Sequence, residues 1–109
     1  MAAEALKRLP EFRGFGLDEG CKLLPPPVMP TRKIEFIGDS MTCGYGVEAT
    51  DEKEKFADET ENHYYTYAAL TARALKAQHV VVARSGIGIY RNYNGPKTGN
   101  ADCMPRMYD

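Results

Sequence analysis

Hydrophobic and polar positions form three patterns along the chain that predict regular structure. The run Lys33–Gly38 is short, β-branched and aromatic, and it ends at a glycine, which is typical of a strand that stops abruptly. Residues 62–77 (NHYYTYAALTARALKA) predict a helix with Asn62 as its N-cap. Residues 80–83 are continuously apolar, as expected of a strand covered on both faces of a parallel sheet. The order strand, helix, strand predicts one right-handed βαβ unit.

The predicted helix carries an aromatic stripe at three- and four-residue steps, which we expect to pack into the core rather than to bind a ligand. The residues on this face are Tyr64, Tyr67, Ala68, Thr71 and Leu75. A loop is predicted from 43 to about 61. A second loop is predicted from 86 onward, because that stretch is rich in Gly, Asn, Pro and Tyr without a strong period.

The N-terminal part differs from the rest of the chain. Residues 2–9 predict a short helix, and residues 11–17 partly alternate, which predicts one β-strand with weak ends. Four prolines between Pro25 and Pro30 then predict an extended linker or a domain boundary, because proline fixes φ and removes a donor. We therefore divide the chain into residues 1–30 and residues 31–109.

Composition excludes several classes of partner. The 109 residues carry 14 Lys and Arg against 15 Asp and Glu, so charge gives no reason to expect nucleic acid or a membrane surface as partner. No stretch approaches the roughly 20 apolar residues of a membrane span. The N-terminus has no apolar core of the signal-peptide type, so we expect no secretion signal in this stretch. The sequence does not indicate an oligomeric state.

The three cysteines, Cys21, Cys43 and Cys103, lie far apart and form no C-x-x-C pair. We expect buried or unreactive thiols, with a disulfide as the alternative, and we predict no metal site. The sequence also predicts no cofactor. A phosphate-binding nucleotide module is disfavoured, because no Gly-Lys-Ser/Thr follows the glycines and GxGxxG does not occur.

Candidate chemistry lies directly after the first predicted strand, in the segment GDSMTCGYG from Gly38 to Gly46. Reactive groups in open α/β sheets gather outside the carboxyl ends of strands. Gly38 allows a sharp turn there, and Ser40 would stand at a strand-to-helix junction where unpaired N–H groups favour negative charge. A serine in this position suits nucleophilic attack on an acyl group, if a base takes its proton.

The run IEFIGDSMTCGYG resembles the first conserved block of SGNH/GDSL hydrolases, and more narrowly that of carbohydrate esterase family 2. Three further segments are similar to the narrower pattern: Thr60-Glu61-Asn62, Ser85-Gly86-Ile87-Gly88-Ile89-Tyr90, and Met104-Pro105 with Tyr108. The resemblance covers about residues 12–109. It implies part of a three-layer α/β/α, flavodoxin-like SGNH sheet over residues 31–109. It also implies that residues 12–24 hold the last strand of a preceding β-jelly-roll domain.

The resemblance implies a serine esterase that removes acetyl groups from plant polysaccharides through an acyl-enzyme. Ser40 matches the nucleophile, and its own N–H would contribute to the oxyanion hole. The second block implies a glycine N–H as another donor, which is Gly88 by alignment, with Gly86 as the alternative. Gly38 and Asp39 would shape the loop. The implied partner is an acetylated polysaccharide or oligosaccharide, and full-length relatives are expected to be secreted or periplasmic.

The family pattern also needs an oxyanion asparagine and a late histidine base, and neither has a matching position in these 109 residues. We interpret His63 and His79 as surface or structural histidines, and Asn92, Asn94 and Asn100 as loop residues outside the relevant motif. We therefore expect an incomplete piece of an esterase. The alternative is a truncated or carbohydrate-binding remnant of the same family without catalysis.

Overall fold

The computed structural model describes residues 11–108, which form a small α/β unit around a two-stranded parallel sheet. Strand β1 spans Lys33–Gly38 and strand β2 spans Gln78–Ala83. The strands pair in parallel, from Lys33 opposite Gln78 to Gly38 opposite Ala83. The predicted parallel strand, helix, strand unit is therefore confirmed.

Three α-helices accompany the sheet in this part of the chain. Helix α1 spans Ser40–Cys43, α2 spans Tyr67–Ala74 and α3 spans Met104–Tyr108. Helices α1 and α2 pack against the strands. Helix α3 was not predicted, because five residues are too few to show a helical period. No helix among residues 11–108 is both long enough and apolar enough to cross a membrane.

The predicted helix over 62–77 is divided in the structure. A single 3₁₀ turn spans His63–Tyr65, and Asn62 Oδ1 accepts a hydrogen bond of 2.9 Å from the Tyr64 N–H. Thr66 then adopts an extended conformation (φ −72°, ψ 162°) and begins α2, with its Oγ1 accepting from Ala69 N–H at 3.4 Å. Threonine favours this N-cap role because its hydroxyl satisfies an otherwise unpaired amide. Asn62 therefore caps the 3₁₀ turn and Thr66 caps the α-helix.

The buried face of α2 consists of Ala68, Ala69 and Ala72, not of the aromatic stripe. Tyr64 and Tyr67 are 58% and 51% exposed, and most of the predicted core face was therefore wrong. Alanine side chains are small enough to let the helix backbone approach its neighbours closely. Tyrosine has a polar hydroxyl and is accommodated more easily at the edge of such a packed interface, where water reaches the side chain.

Strand β2 begins two residues before the predicted run, and it is not covered on both faces by the described residues. Val80 is 62% exposed, whereas Ala83 is 6% exposed. In β1 the alternate residues Ile34, Phe36 and Gly38 are the less exposed ones. The sheet therefore leaves apolar surface open in this part of the chain.

Residues 11–30 contain no helix or strand, so the strand predicted at 11–17 does not form in the structure. A strand needs a neighbour to pair its amides, and the sheet of the described residues contains only β1 and β2. The helix predicted at 2–9 lies outside the described residues. The loop predicted from 43 to 61 contains the end of α1 and one 3₁₀ turn, Asp58–Thr60.

Candidate functional site

Ser40 is the first residue of α1 and lies two residues after the end of β1. It is half-buried. A Cβ on Gly38 would collide with the Thr42 side chain, so only glycine allows α1 to fold back this closely on the strand that precedes it. The structure therefore places the serine hydroxyl at the strand-to-helix junction that the sequence predicts.

Asp39 is the N-cap of α1. Its Oδ1 accepts a hydrogen bond of 3.1 Å from the Met41 N–H. Its backbone carbonyl accepts from the N–H groups of Thr42 and Cys43, both at 3.0 Å. The aspartate thus shapes the turn around the serine, and its carboxylate forms no hydrogen bond to a histidine within residues 11–108.

The Ser40 N–H donates no hydrogen bond within residues 11–108. The first amides of a helix lack partners inside the helix, so this one is available to a ligand. The serine carbonyl accepts from the N–H groups of Gly44 and Tyr45, each at 3.0 Å, which closes the short helix. Gly44 ends it in the left-handed conformation (φ 97°).

Ser40 opens into a cavity of about 540 Å³ at the carboxyl ends of both strands. The cavity is lined by Asp39, Ser40, Tyr45, Ser85, Gly86, Ile87 and Tyr93. Tyr45, Ser85 and Tyr93 were not among the predicted site residues. Tyr45 follows α1 directly, and both Tyr45 and Ser85 lie in the segments that carry the family resemblance. Tyr93 has no such local signal and reaches this cavity because the chain after β2 folds back toward α1.

Gly86 and Gly88, the two candidate oxyanion glycines, differ in how their amides are used. The Gly86 carbonyl accepts from Tyr93 N–H at 2.7 Å, while its own N–H donates no hydrogen bond within the described chain. The Gly88 N–H donates to Asn92 Oδ1 at 3.0 Å. Gly88 also lines a different cavity, of about 390 Å³, together with Gly38 and Asp39. The serine therefore shares its cavity with Gly86 and not with Gly88.

The asparagines of the second loop support the loop itself. Besides accepting from Gly88, Asn92 receives a hydrogen bond from Cys103 Sγ at 3.6 Å, and its own N–H donates to Asn100 Oδ1 at 2.9 Å. Asn94 has a positive φ of 56°, which asparagine tolerates better than most residues. None of the three lines the cavity of Ser40.

The two histidines face each other away from the serine hydroxyl. His63 Nδ1 lies 2.7 Å from the Thr42 carbonyl oxygen, and His63 Nε2 lies 3.1 Å from His79 Nε2. Neither ring forms a hydrogen bond to Ser40 within the described chain, and neither lines its cavity. The structure thus brings Ser40 and Gly86 together but places no histidine base beside them.

No disulfide joins the three cysteines; Cys43 and Cys103 are buried and Cys21 is exposed. Residues 11–108 contain no group of three or more His, Cys, Asp or Glu side chains that could hold a metal ion.

Two curated relatives match most of the chain. The chain is 51% identical over 85 residues to the cellulase/esterase CelE of Acetivibrio thermocellus, a match that covers 78% of this chain and 10% of the relative. It is 47% identical over 91 residues to an acetylxylan esterase / glucomannan deacetylase of Cellvibrio japonicus, covering 77% of this chain and 24% of the relative. The chain thus spans between a tenth and a quarter of these relatives. No protein-family model matches it.

A solved structure is similar in fold as well as in sequence. A family two carbohydrate esterase from Clostridium thermocellum, in complex with cellohexaose, superposes with a TM-score of 0.72 at 46% identity. The match covers 80% of this chain and 26% of that protein. The curated relatives and the similar structure are therefore all esterases.

Proposed function

This chain is homologous to the family 2 carbohydrate esterases, and on that basis we propose that it carries the nucleophile region of a serine esterase that removes acetyl groups from plant polysaccharides. One observation carries the proposal. Ser40 begins a helix at the carboxyl end of β1, its own N–H is unused by the described residues, and its cavity also contains Gly86.

In the proposed reaction, Ser40 Oγ attacks the carbonyl carbon of the acetyl ester. The carbonyl oxygen becomes an oxyanion, which the N–H groups of Ser40 and Gly86 would stabilise. As this intermediate collapses, the bond to the sugar oxygen breaks, that oxygen takes up the proton that the general base removed from Ser40, and an acetyl group remains on the serine. Water then attacks the acetyl group and releases it as acetate. We favour Gly86 over Gly88 as the second donor, because the Gly88 amide already donates to Asn92.

The reaction needs a general base, and neither His63 nor His79 fits that role. Their Nε2 atoms point at each other, and neither ring contacts the serine. We therefore assign the base to a histidine that is not one of these two. This agrees with the implication of the family resemblance that the base lies in a later motif.

The proposed substrate is an acetylated polysaccharide or oligosaccharide. The relatives include an acetylxylan esterase / glucomannan deacetylase, and the similar structure was solved with cellohexaose. Tyr93 is 82% exposed and Tyr45 is 48% exposed, and both line the cavity of Ser40. Their rings offer flat apolar surfaces with polar tips, which suits the apolar faces and hydroxyl rims of sugar rings.

The proposal extends to the architecture of the whole domain. We propose that β1 and β2 belong to a three-layer α/β/α sheet. We further propose that residues 12–24 are the end of a β-jelly-roll domain, with the prolines between 25 and 30 as the connection. The partly exposed strands support the first point, since Val80 and Ile37 are 62% and 49% exposed and a fully formed sheet would cover them.

A second candidate function is carbohydrate binding without catalysis. It is favoured by the placement of both histidines away from Ser40. Under this alternative, the tyrosines at the cavity would retain an oligosaccharide while the serine remains unreactive toward acetyl donors.

Acetylation of Ser40 tests the proposal. The 109-residue chain is incubated with an activated acetyl ester, with imidazole added as an external base, and the acetylated residue is located by peptide mass spectrometry. We expect the label on Ser40 and not on Ser85, which lines the same cavity but does not begin a helix. Ser40→Ala should abolish the labelling of this peptide.

Equal labelling of both serines would overturn the proposal, because Ser40 would then have no special reactivity. Binding of a cello-oligosaccharide without any Ser40-dependent acetylation would instead support the binding function.

A further inference from the structure

We propose that His63 is a positioning residue for Ser40, and that His79 holds His63 in place. The inference rests on the proposed role of Ser40 as nucleophile and deepens it. It gives a structural role to the two histidines, neither of which acts as the general base. The link runs from His79 through His63 to the backbone of the helix that begins at Ser40.

The first link is the contact between His63 Nδ1 and the Thr42 carbonyl oxygen, at 2.7 Å. A carbonyl oxygen can only accept, so Nδ1 must carry the proton and donate it. This fixes the tautomer of the neutral ring, whose Nε2 then has a lone pair and no proton. The acceptor belongs to the third residue of α1, two positions after Ser40.

The second link is the contact between the two Nε2 atoms, at 3.1 Å. The ring centroids are 5.4 Å apart, and this distance exceeds the distance between the two nitrogens by about the sum of the two ring radii. The two Nε2 atoms therefore lie on the line that joins the rings, and the rings meet at these edges. His79 Nε2–H is therefore the donor and His63 Nε2 the acceptor. The two Nε2 atoms point at each other rather than at a common third point, which favours a hydrogen bond over a shared metal ion.

The same segment holds α1 at two further points. The Asn62 N–H donates to the Gly44 carbonyl at 3.2 Å, and the hydroxyl groups of Tyr67 and Thr42 lie 2.9 Å apart. His63 lies between these contacts in sequence. Residues 62–67 therefore form one clamp along the short helix.

The helix needs such a clamp because it has four residues, far fewer than an isolated helix requires in water. Catalysis by a serine depends on placing its oxygen within a fraction of an ångström of the productive position. A hydrogen bond to the Thr42 carbonyl restrains the turn that carries Ser40 without touching the serine itself. His63 is thus suited to positioning rather than to proton transfer.

Matched amide substitutions separate the two ring nitrogens of each histidine. An asparagine side chain places its N–H₂ group near the position of Nδ1, whereas glutamine places it near that of Nε2. We therefore expect His63→Asn to keep the bond to Thr42 and His63→Gln to lose it. The reverse holds at the second position, where His79→Gln keeps a donor to His63 and His79→Asn does not.

Hydrogen exchange of the 109-residue chain measures the restraint. The reporting amides are those of the hydrogen-bonded turn: Thr42, Cys43, Gly44 and Tyr45. We expect His63→Gln to raise their exchange rates about fivefold, the effect of losing one hydrogen bond, and His63→Asn to stay within about twofold of the parent. The amide of Leu70, which donates to Thr66 inside the α2 region, serves as the reference for global opening.

The rate of imidazole-assisted acetylation of Ser40 gives the chemical readout, and it should fall in His63→Gln and recover in His63→Asn. Equal behaviour of the two variants in exchange and in acetylation would overturn the positioning role. If His63→Gln does not fold, the pair at position 79 decides, with faster exchange expected in His79→Asn than in His79→Gln and equality counting against the proposal. An unreactive Ser40 in the parent chain would remove the esterase function but leave the exchange result interpretable.

Discussion

The hydroxyl groups of Thr42 and Tyr67 lie 2.9 Å apart and join α1 to α2. Thr42 is 1% exposed, so its hydroxyl is out of reach of bulk water. The Tyr67 ring also meets Phe36 of β1 edge-on, with the centroids 5.9 Å apart. One tyrosine of α2 therefore contacts both α1 and the first strand.

Tyr67→Phe should lower the free energy of unfolding by about 1–2 kcal/mol, because it leaves the buried Thr42 hydroxyl without this partner. Thr42→Val should cost less, since the half-exposed Tyr67 hydroxyl can bond to water instead. We expect the double variant to cost less than the sum of the two single changes. Urea unfolding of the four proteins measures this coupling, and strictly additive costs would show that the hydrogen bond is not formed.

Gly44 should not tolerate a side chain. Its φ is 97°, and a Cβ would lie 2.5 Å from the Asn62 carbonyl oxygen. Gly46 is the matched control, because it also has a positive φ, of 63°, but a Cβ there would meet nothing within 4 Å. We expect Gly46→Ala to cost roughly 1 kcal/mol and Gly44→Ala about 2–4 kcal/mol of unfolding free energy. Similar costs at both positions would argue against the close contact of residue 44 with Asn62.

The 109-residue chain without an added base should show little or no turnover of a chromogenic acetate ester. The reason is that neither His63 nor His79 contacts Ser40, so the serine proton has no histidine acceptor among the described residues. The measurement compares the steady-state rate of the parent with that of Ser40→Ala. A rate well above background that disappears in the serine variant would contradict the expectation and identify a base among these residues.

A tetrahedral acyl analogue should perturb the amide of Gly86 more than that of Gly88. The Gly86 N–H is unused by the described residues and shares the cavity of Ser40, whereas the Gly88 N–H donates to Asn92. An alkyl boronic acid that adds to the serine hydroxyl provides the probe, and ¹⁵N amide shifts provide the readout. Ser40→Ala is the control for nonspecific shifts. A larger change at Gly88 would make that glycine the oxyanion donor and show that its bond to Asn92 opens.

Tyr108 should titrate above its ordinary range because of Glu35. The tyrosine hydroxyl donates a hydrogen bond of 2.8 Å to Glu35 Oε2, and this bond, together with the repulsion between the carboxylate and a phenolate, raises the pKa of Tyr108. The bond is present in full below the ordinary tyrosine pKa of about 10 and is lost as the pH rises through the raised pKa of the folded chain. Any stability that it contributes follows the same pH dependence.

Glu35→Gln should therefore lower the pKa of Tyr108. NMR titration of ring-labelled tyrosines, assigned with Tyr108→Phe, measures the change. Glu54→Gln is the matched control, because that carboxylate accepts from the Thr50 amide and hydroxyl instead. An unchanged pKa in Glu35→Gln would show that the contact with Tyr108 is not formed in solution.

The sequence determined the βαβ order and the position of Ser40 because both depend on local patterns. Lys33–Gly38 has the β-branched and aromatic residues of a strand, and glycine at its end permits the turn into α1. The motif around the serine is contiguous, so its capping by Asp39 involves neighbours in sequence. Such features need no knowledge of distant contacts.

Tertiary structure alone decided which face of α2 is buried and which groups surround the serine. The tyrosines and alanines of α2 occupy different sides of one helix, and only its close packing selected the alanines. Tyr93 and Gly86 reach the serine cavity because the chain folds back after β2, and His63 meets His79 across 16 positions of sequence. These contacts join residues that no local period relates, because chain folding and not spacing sets the distance between them.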